Sequence, residues 1–166
     1  GLAIKDLSTG RTIFINENEI FPQASSIKIA ILLEVLKQAD EGQLKLDDFI
    51  NLTAEAKVGG GLILVYLGYP SLKLSIRDLC VLMVVLSDNT ATNLLIDRVG
   101  MKNVNSRLQS MGLKKTKLQR KMMDVKAADE GRENLSTPLE MMTLLDKIYK
   151  GPILSPGMRQ EFFNIL

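Results

Sequence analysis

The sequence predicts an α+β protein: a mostly helical body with an N-terminal β-hairpin and an incomplete sheet. Three observations predict it. Residues 1–6 and 11–16 alternate apolar and polar side chains around Ser8-Thr9-Gly10, the pattern of two strands and a turn. From Ser26 onward, apolar runs bounded by capping residues and glycines recur as helices do. A lone two-stranded hairpin is marginal in water, so this one needs further strands or a helix against it.

Each element has its own signal. Phe21-Pro22-Gln23-Ala24 is a lead-in loop. From Ser26 to about Ala39 the chain is apolar nearly all round, through Ile27, Ile31, Leu32, Leu33, Val35 and Leu36, which predicts a buried central helix. Gly59-Gly60-Gly61 reads as a plain turn, because no Gly-Lys-Ser/Thr follows to make a phosphate cradle. Ser75-Ile76-Arg77-Asp78 is a capping-box-like start for a second buried helix. Asn89–Val99 closes at Gly100, and Lys102–Met111 closes at Gly112. Residues 113–135 are polar and long for a connection, a feature common in functional loops. Thr137-Pro138 caps a helix that runs to Lys150 and stops at Gly151; Ser155-Pro156 begins a last one. The expected organisation is a hairpin part of an α/β domain at 1–24, an all-α domain at 25–135, and helices returning toward the α/β part at 136–166.

Composition excludes several classes. The 166 residues suit one domain or a compact piece of a larger one. Twenty-one basic against 19 acidic residues leave a net charge of +2, too even for a nucleic-acid partner. The basic run Lys114, Lys115, Lys117, Arg120, Lys121 has no aromatics to stack on bases and reads as a solvated loop. Cys80 is the only cysteine, sits in an apolar run and reads as a small core residue. No stretch reaches the ~18 apolar residues of a membrane span, and the sequence opens at Gly1 on strand-like residues with no signal peptide before them, so a targeting segment is expected to have been removed or never included. There are no histidines. That excludes a Ser-His-Asp triad, a Cys-His dyad and histidine-ligated zinc, and one cysteine excludes a thiolate site; no metal or cofactor is expected. A serine nucleophile here must be activated by lysine, by a carboxylate, or by water held on one of them.

Ser25-Ser26-Ile27-Lys28 offers such a pair. Residues three apart share a helix face, so the Lys28 amine reaches the Ser25 hydroxyl. A helix N-terminus favours an alkoxide, and apolar neighbours favour an uncharged amine. Chance alone produces a Ser-x-x-Lys in a chain this long, where it would be a capping serine and a lysine reaching for solvent. Ser87-Asp88-Asn89 lies between two buried helices and is the more specific pattern, although a tight helix–helix turn would use the same residue types.

Together these motifs resemble the class A β-lactamases and penicillin-binding proteins over nearly the whole chain. Phe21-Pro22 before the serine, the run from Ser87 to Leu95, and Thr137-Pro138 after the long loop are similar too. The resemblance implies a β-lactamase/transpeptidase-like α+β fold. It implies that Ser25 attacks a lactam or peptide carbonyl, that Lys28 assists proton removal, and that Ser87 relays a proton to the leaving nitrogen. Asn89 would hold the substrate's side-chain amide, and the Ser25 backbone N–H would supply half an oxyanion hole; Asp88 would tie the loop together. The partner implied is a small-molecule β-lactam or a peptidoglycan-like amide, in an exported bacterial enzyme.

Two departures narrow this. The family's Lys-Thr/Ser-Gly strand is missing, since Lys150-Gly151 lacks the middle residue and ends a helix. The 166 residues are therefore expected to be a fragment of weak or no activity, with an open hairpin edge able to self-associate. Aligning Arg120 with the family's loop arginine also puts Met122 where the deacylating glutamate belongs. A thioether is no base; Asp124, Glu130 or Glu133, and Asp129 beside them, are the carboxylates that could replace it, while Arg120 with Glu133 or Asn134 could pin the loop ends. Deacylation is thus open. The alternatives are a penicillin-binding, D-alanyl-peptidase-like enzyme and a catalytically silent binding domain of the same fold.

Overall fold

The computed structural model describes residues 1–60 and 63–166. Gly61, part of the glycine turn, lies outside the described residues. Strands β1 (Leu2–Lys5) and β2 (Thr12–Ile15) form the expected antiparallel hairpin, with Leu2 opposite Ile15 and Lys5 opposite Thr12. Asp6 makes the turn: its Oδ1 accepts from the Ser8 N–H at 2.8 Å and from the Ser8 hydroxyl at 2.7 Å.

The hairpin is not the only sheet, as the sequence suggested. Two more antiparallel ribbons occur among the described residues: β3 (Phe21–Pro22) with β6 (Leu135–Ser136), and β4 (Phe49–Leu52) with β5 (Leu72–Ser75). The first has two residues per strand, too few to show a period. In the second, Ser75 ends the strand and also caps α2 (Ile76–Val85), accepting from the Asp78 N–H at 3.0 Å, so the helix signal masks the strand.

The central helix also starts later than its apolar run. Ala24–Ile27 is a 3₁₀ turn, and α1 is Lys28–Asp40. Ala24 has φ +43°, and the Ser26 hydroxyl donates to the Gln23 carbonyl at 2.6 Å, which holds the chain in the tighter turn. Ser25 therefore sits in a 3₁₀ turn before the α-helix rather than in its first turn.

From Ile27 on, the prediction holds: Ile27, Ile31, Leu32, Leu33, Val35 and Leu36 are fully buried. Around α1 pack α2, α3 (Asn89–Val99), α4 (Met101–Ser110) and α7 (Pro156–Ile165). Each fully buried Leu or Ile contributes about 1.5–3 kcal/mol, which makes α1 the rigid axis behind the site. Cys80 is buried in the same core, where burial pushes its thiol up to about 12.

The 113–135 connection is ordered and contains a helix, α5 (Val125–Asp129). Its ends are tied together. Lys117 and Leu135 exchange backbone hydrogen bonds at 2.8 and 3.0 Å, and Arg120 pairs with Glu133 at 2.9 Å. The Asn134 side-chain oxygen accepts from the backbone N–H of Gln119 and Arg120. Helix α6 (Pro138–Lys150), capped by Thr137, packs on β1, and Lys5 meets Asp146 at 2.7 Å. No described helix is long and apolar enough to cross a membrane.

Candidate active site

The 3₁₀ turn carries Ser25, the first residue of α1 is Lys28, the turn from α2 into α3 carries Ser87 and Asp88, and Asn89 opens α3. Packing of α1 against α2 and α3 brings the two motifs together across about 60 residues of sequence. The Ser87 hydroxyl donates to Ser25 Oγ at 2.9 Å. Lys28 Nζ lies 3.3 Å from Ser25 Oγ, 2.8 Å from Ser87 Oγ, 2.7 Å from the Ser87 carbonyl and 3.2 Å from Asn89 Oδ1. The Ser87 carbonyl can turn toward Lys28 because Ser87 adopts φ +52°, a conformation most residues avoid.

Lys28 is 3% exposed, and burial, which penalises the ammonium, pushes its pKa down to about 8; the nearby Asp88 carboxylate works in the opposite direction. An ammonium has three N–H donors for these four acceptors. A neutral amine donates to the Ser87 carbonyl and Asn89 Oδ1, which can only accept, and turns its lone pair to a hydroxyl. The geometry therefore suits both protonation states.

Asp88 and Thr90 fasten the neighbouring loop. Asp88 accepts from the N–H of Ile63 at 3.3 Å and Leu64 at 3.1 Å, and caps α3 through Ala91 N–H at 2.9 Å. Thr90 Oγ1 accepts from Val58 N–H at 3.1 Å. Asn89 Nδ2 donates to the Gly60 carbonyl at 3.1 Å. Met122 is clamped by Asn93, whose Oδ1 accepts from Met122 N–H at 2.8 Å and whose Nδ2 donates to the Met122 carbonyl at 3.0 Å; Met122 itself is 8% exposed and part of the core.

Three of the loop carboxylates are engaged elsewhere. Asp124 caps α5 through Ala127 N–H at 3.0 Å, Glu130 pairs with Arg132, and Glu133 pairs with Arg120. Among the described residues no carboxylate hydrogen-bonds to Ser25, Lys28, Ser87 or Asn89. No cluster of side chains able to hold a metal ion occurs among them either.

The profile of the beta-lactamase enzyme family matches residues 1–166. The chain belongs to that family. It is 28% identical to Beta-lactamase L2 of Stenotrophomonas maltophilia, a match that takes in all of this chain and 55% of that protein. Among solved structures, a β-lactamase from Sphaerobacter thermophilus superposes with a TM-score of 0.88 at 34% identity, covering 95% of this chain and 59% of that one. A PBP-A variant, described as an acyl-enzyme complex with penicillin-G, superposes with a TM-score of 0.89 at 32% identity, covering 99% and 61%. The chain thus spans little more than half the length of the relatives it matches, and its fold is β-lactamase-like.

Sequence reasoning assigned no role to Thr90 or Asn93. In this β-lactamase-family chain both are buried polar residues on α3, and Asn93 is one helical turn beyond Asn89. That spacing was the signal available, since a polar residue on an inward helix face must find a partner.

Proposed function

We propose that this chain carries the acylating half of a serine β-lactamase-like hydrolase and that it forms an acyl-enzyme more readily than it releases one. The observation that carries the proposal is the Ser25–Lys28–Ser87 cluster, in which two hydroxyls and a buried amine lie within 3.3 Å of one another. With Lys28 neutral, the Ser25 proton passes to the amine, directly or through Ser87. Ser25 Oγ then bonds to the lactam carbonyl carbon. The ring C–N bond breaks, and the nitrogen takes a proton back from Ser87 and Lys28, so the proton count is unchanged. The Ser25 backbone N–H, in the 3₁₀ segment, would donate to the developing oxyanion, as the N–H groups of a helical first turn can. Asn89 would hold the substrate's side-chain amide through Nδ2.

Slow release follows from Met122. Its backbone clamp to Asn93 fixes the position that the family resemblance assigns to the deacylating base, and a thioether takes up no proton there. Asp124, Glu130 and Glu133 would each have to leave a cap or an ion pair to replace it. The likeness to PBP-A supports a penicillin-binding, peptidase-like reading of the same site, in which a peptidoglycan-like amide is the natural substrate. Export from a bacterial cell fits either reading.

Intact-mass analysis after penicillin exposure separates them. A long-lived adduct on Ser25, absent from Ser25→Ala, is the expected result. Free hydrolysed product without accumulation would show efficient deacylation. No adduct and no product would leave a binding domain, and turnover by Ser25→Ala would overturn the mechanism.

A further inference from the structure

Met123 has no part in the chemistry above, yet it stands apart from the other methionines of the chain. There are eight. Met83 and Met122 are buried and five more are partly covered, whereas Met123 is 49% exposed. Its backbone is held on both sides. Met122 before it is clamped by Asn93, and Asp124 after it caps α5. Met123 itself adopts φ +63°, a conformation that residues other than glycine seldom take. The thioether is thus presented to solvent from a fixed point.

Its sulfur also borders a polar group of the site. A methyl group added at Gly60 would lie 3.1 Å from Met123 Sδ and 3.1 Å from Asn89 Nδ2. The sulfur and the amide therefore flank the same small space beside Gly60. The amide donates to the Gly60 carbonyl at 3.1 Å, while Asn89 Oδ1 accepts from Lys28 Nζ at 3.2 Å. A thioether is a weak acceptor and leaves that arrangement alone.

We propose that Met123 is a site of reversible oxidation to the sulfoxide, and that this modification slows acylation by drawing Asn89 away from Lys28. The oxidant is a peroxide. The sulfur lone pair attacks the O–O bond; one oxygen bonds to sulfur and the other leaves as water. Sulfur is oxidised by two electrons and the peroxide is reduced by two. The side chain becomes polar and gains a strong acceptor. Turned into the space beside Gly60, the new oxygen takes the Asn89 N–H from the Gly60 carbonyl. Asn89 rotates with it, and its Oδ1 no longer holds the amine of Lys28 in place. The effect on rate rests on the acylation reading above; the oxidation itself does not.

The full natural chain is treated with dilute hydrogen peroxide and its peptides are mapped by mass, and acylation by penicillin is followed by intact mass before and after treatment. The first added oxygen should fall on Met123. The acylation rate should drop about fivefold, the scale of one neutral hydrogen bond, and recover on treatment with methionine sulfoxide reductases. Met123→Leu, which keeps the bulk without the sulfur, should be acylated at the untreated rate with or without peroxide. Met123→Gln, which carries a carbonyl oxygen at similar reach, should be slow with no peroxide added. First oxidation at another methionine overturns the site. A sulfoxide on Met123 with an unchanged rate, or Met123→Gln acylated like wild type, overturns the coupling through Asn89. No adduct on the untreated protein overturns the acylation reading and the coupling with it, while the peptide map still decides the site.

Discussion

At the scale of single residues, the decisive quantity is the proton on Lys28. Burial holds its pKa near 8, below the ordinary lysine value, so the neutral amine is reached at a lower pH than in a free lysine. Below that pH the amine keeps its proton and has no lone pair for Ser25. The rate of Ser25 acylation should therefore fall about tenfold per unit as pH drops below the pKa, and level off above it. Adduct formation followed by mass across this range checks the sign; a rate that falls as pH rises would exclude the neutral amine as base. Lys28→Arg keeps the charge but cannot deprotonate, and should abolish the rise. Ser87 and Asn89 act on the same proton by occupying the donors of the amine, so their effects will not add to that of Lys28.

At the scale of elements, the site depends on α1 staying in register with the helices around it. One polar clamp serves this. Glu34 of α1 is buried, with Oε1 accepting from Gln38 at 2.8 Å and Oε2 accepting from Arg107 of α4 at 3.0 Å, while Gln38 also donates to the Val99 carbonyl at the end of α3. Three helices thus share one network. Arg107→Ala leaves a carboxylate buried without its cation and should cost about 3 kcal/mol, read from the denaturant midpoint at constant slope. Replacing both charges, as Glu34→Met with Arg107→Met, should cost less than Arg107→Ala alone. A double variant less stable than the single one would show that the pair itself, rather than the orphaned charge, matters.

At the scale of the whole molecule, the hairpin presents an unusual surface. The register of β1 and β2 places Leu2, Ile4, Ile13 and Ile15 on one face, and all four are exposed. The opposite face includes Ala3 and Lys5, the latter paired with Asp146 of α6. An exposed apolar sheet face with a free edge favours association. The 166 residues on their own should therefore self-associate in a concentration-dependent way by light scattering, and Ile13→Lys with Ile15→Lys should render them monomeric. A wild-type fragment monomeric at high concentration would count against association through this surface.

The sequence by itself determined the helical body, because an all-round apolar run can only be an internal helix, and because caps such as Ser75, Thr137 and Ser155 are local signals. It also offered Ser25, Lys28, Ser87 and Asn89 as candidates, because two short motifs together resemble those of a known family. It did not reveal the ribbons at 49–52 with 72–75 and 21–22 with 135–136, whose pairing is non-local; the second is also too short to show a period, and in the first the helix cap at Ser75 masks the strand. Nor did it reveal that Ser25 lies in a 3₁₀ turn, or that Asp124, Glu130 and Glu133 are spent on a cap and ion pairs. Those facts depend on which segments meet in space. Only the tertiary structure decided them, because a side chain's partner across 60 residues is chosen by packing and not by its neighbours in sequence.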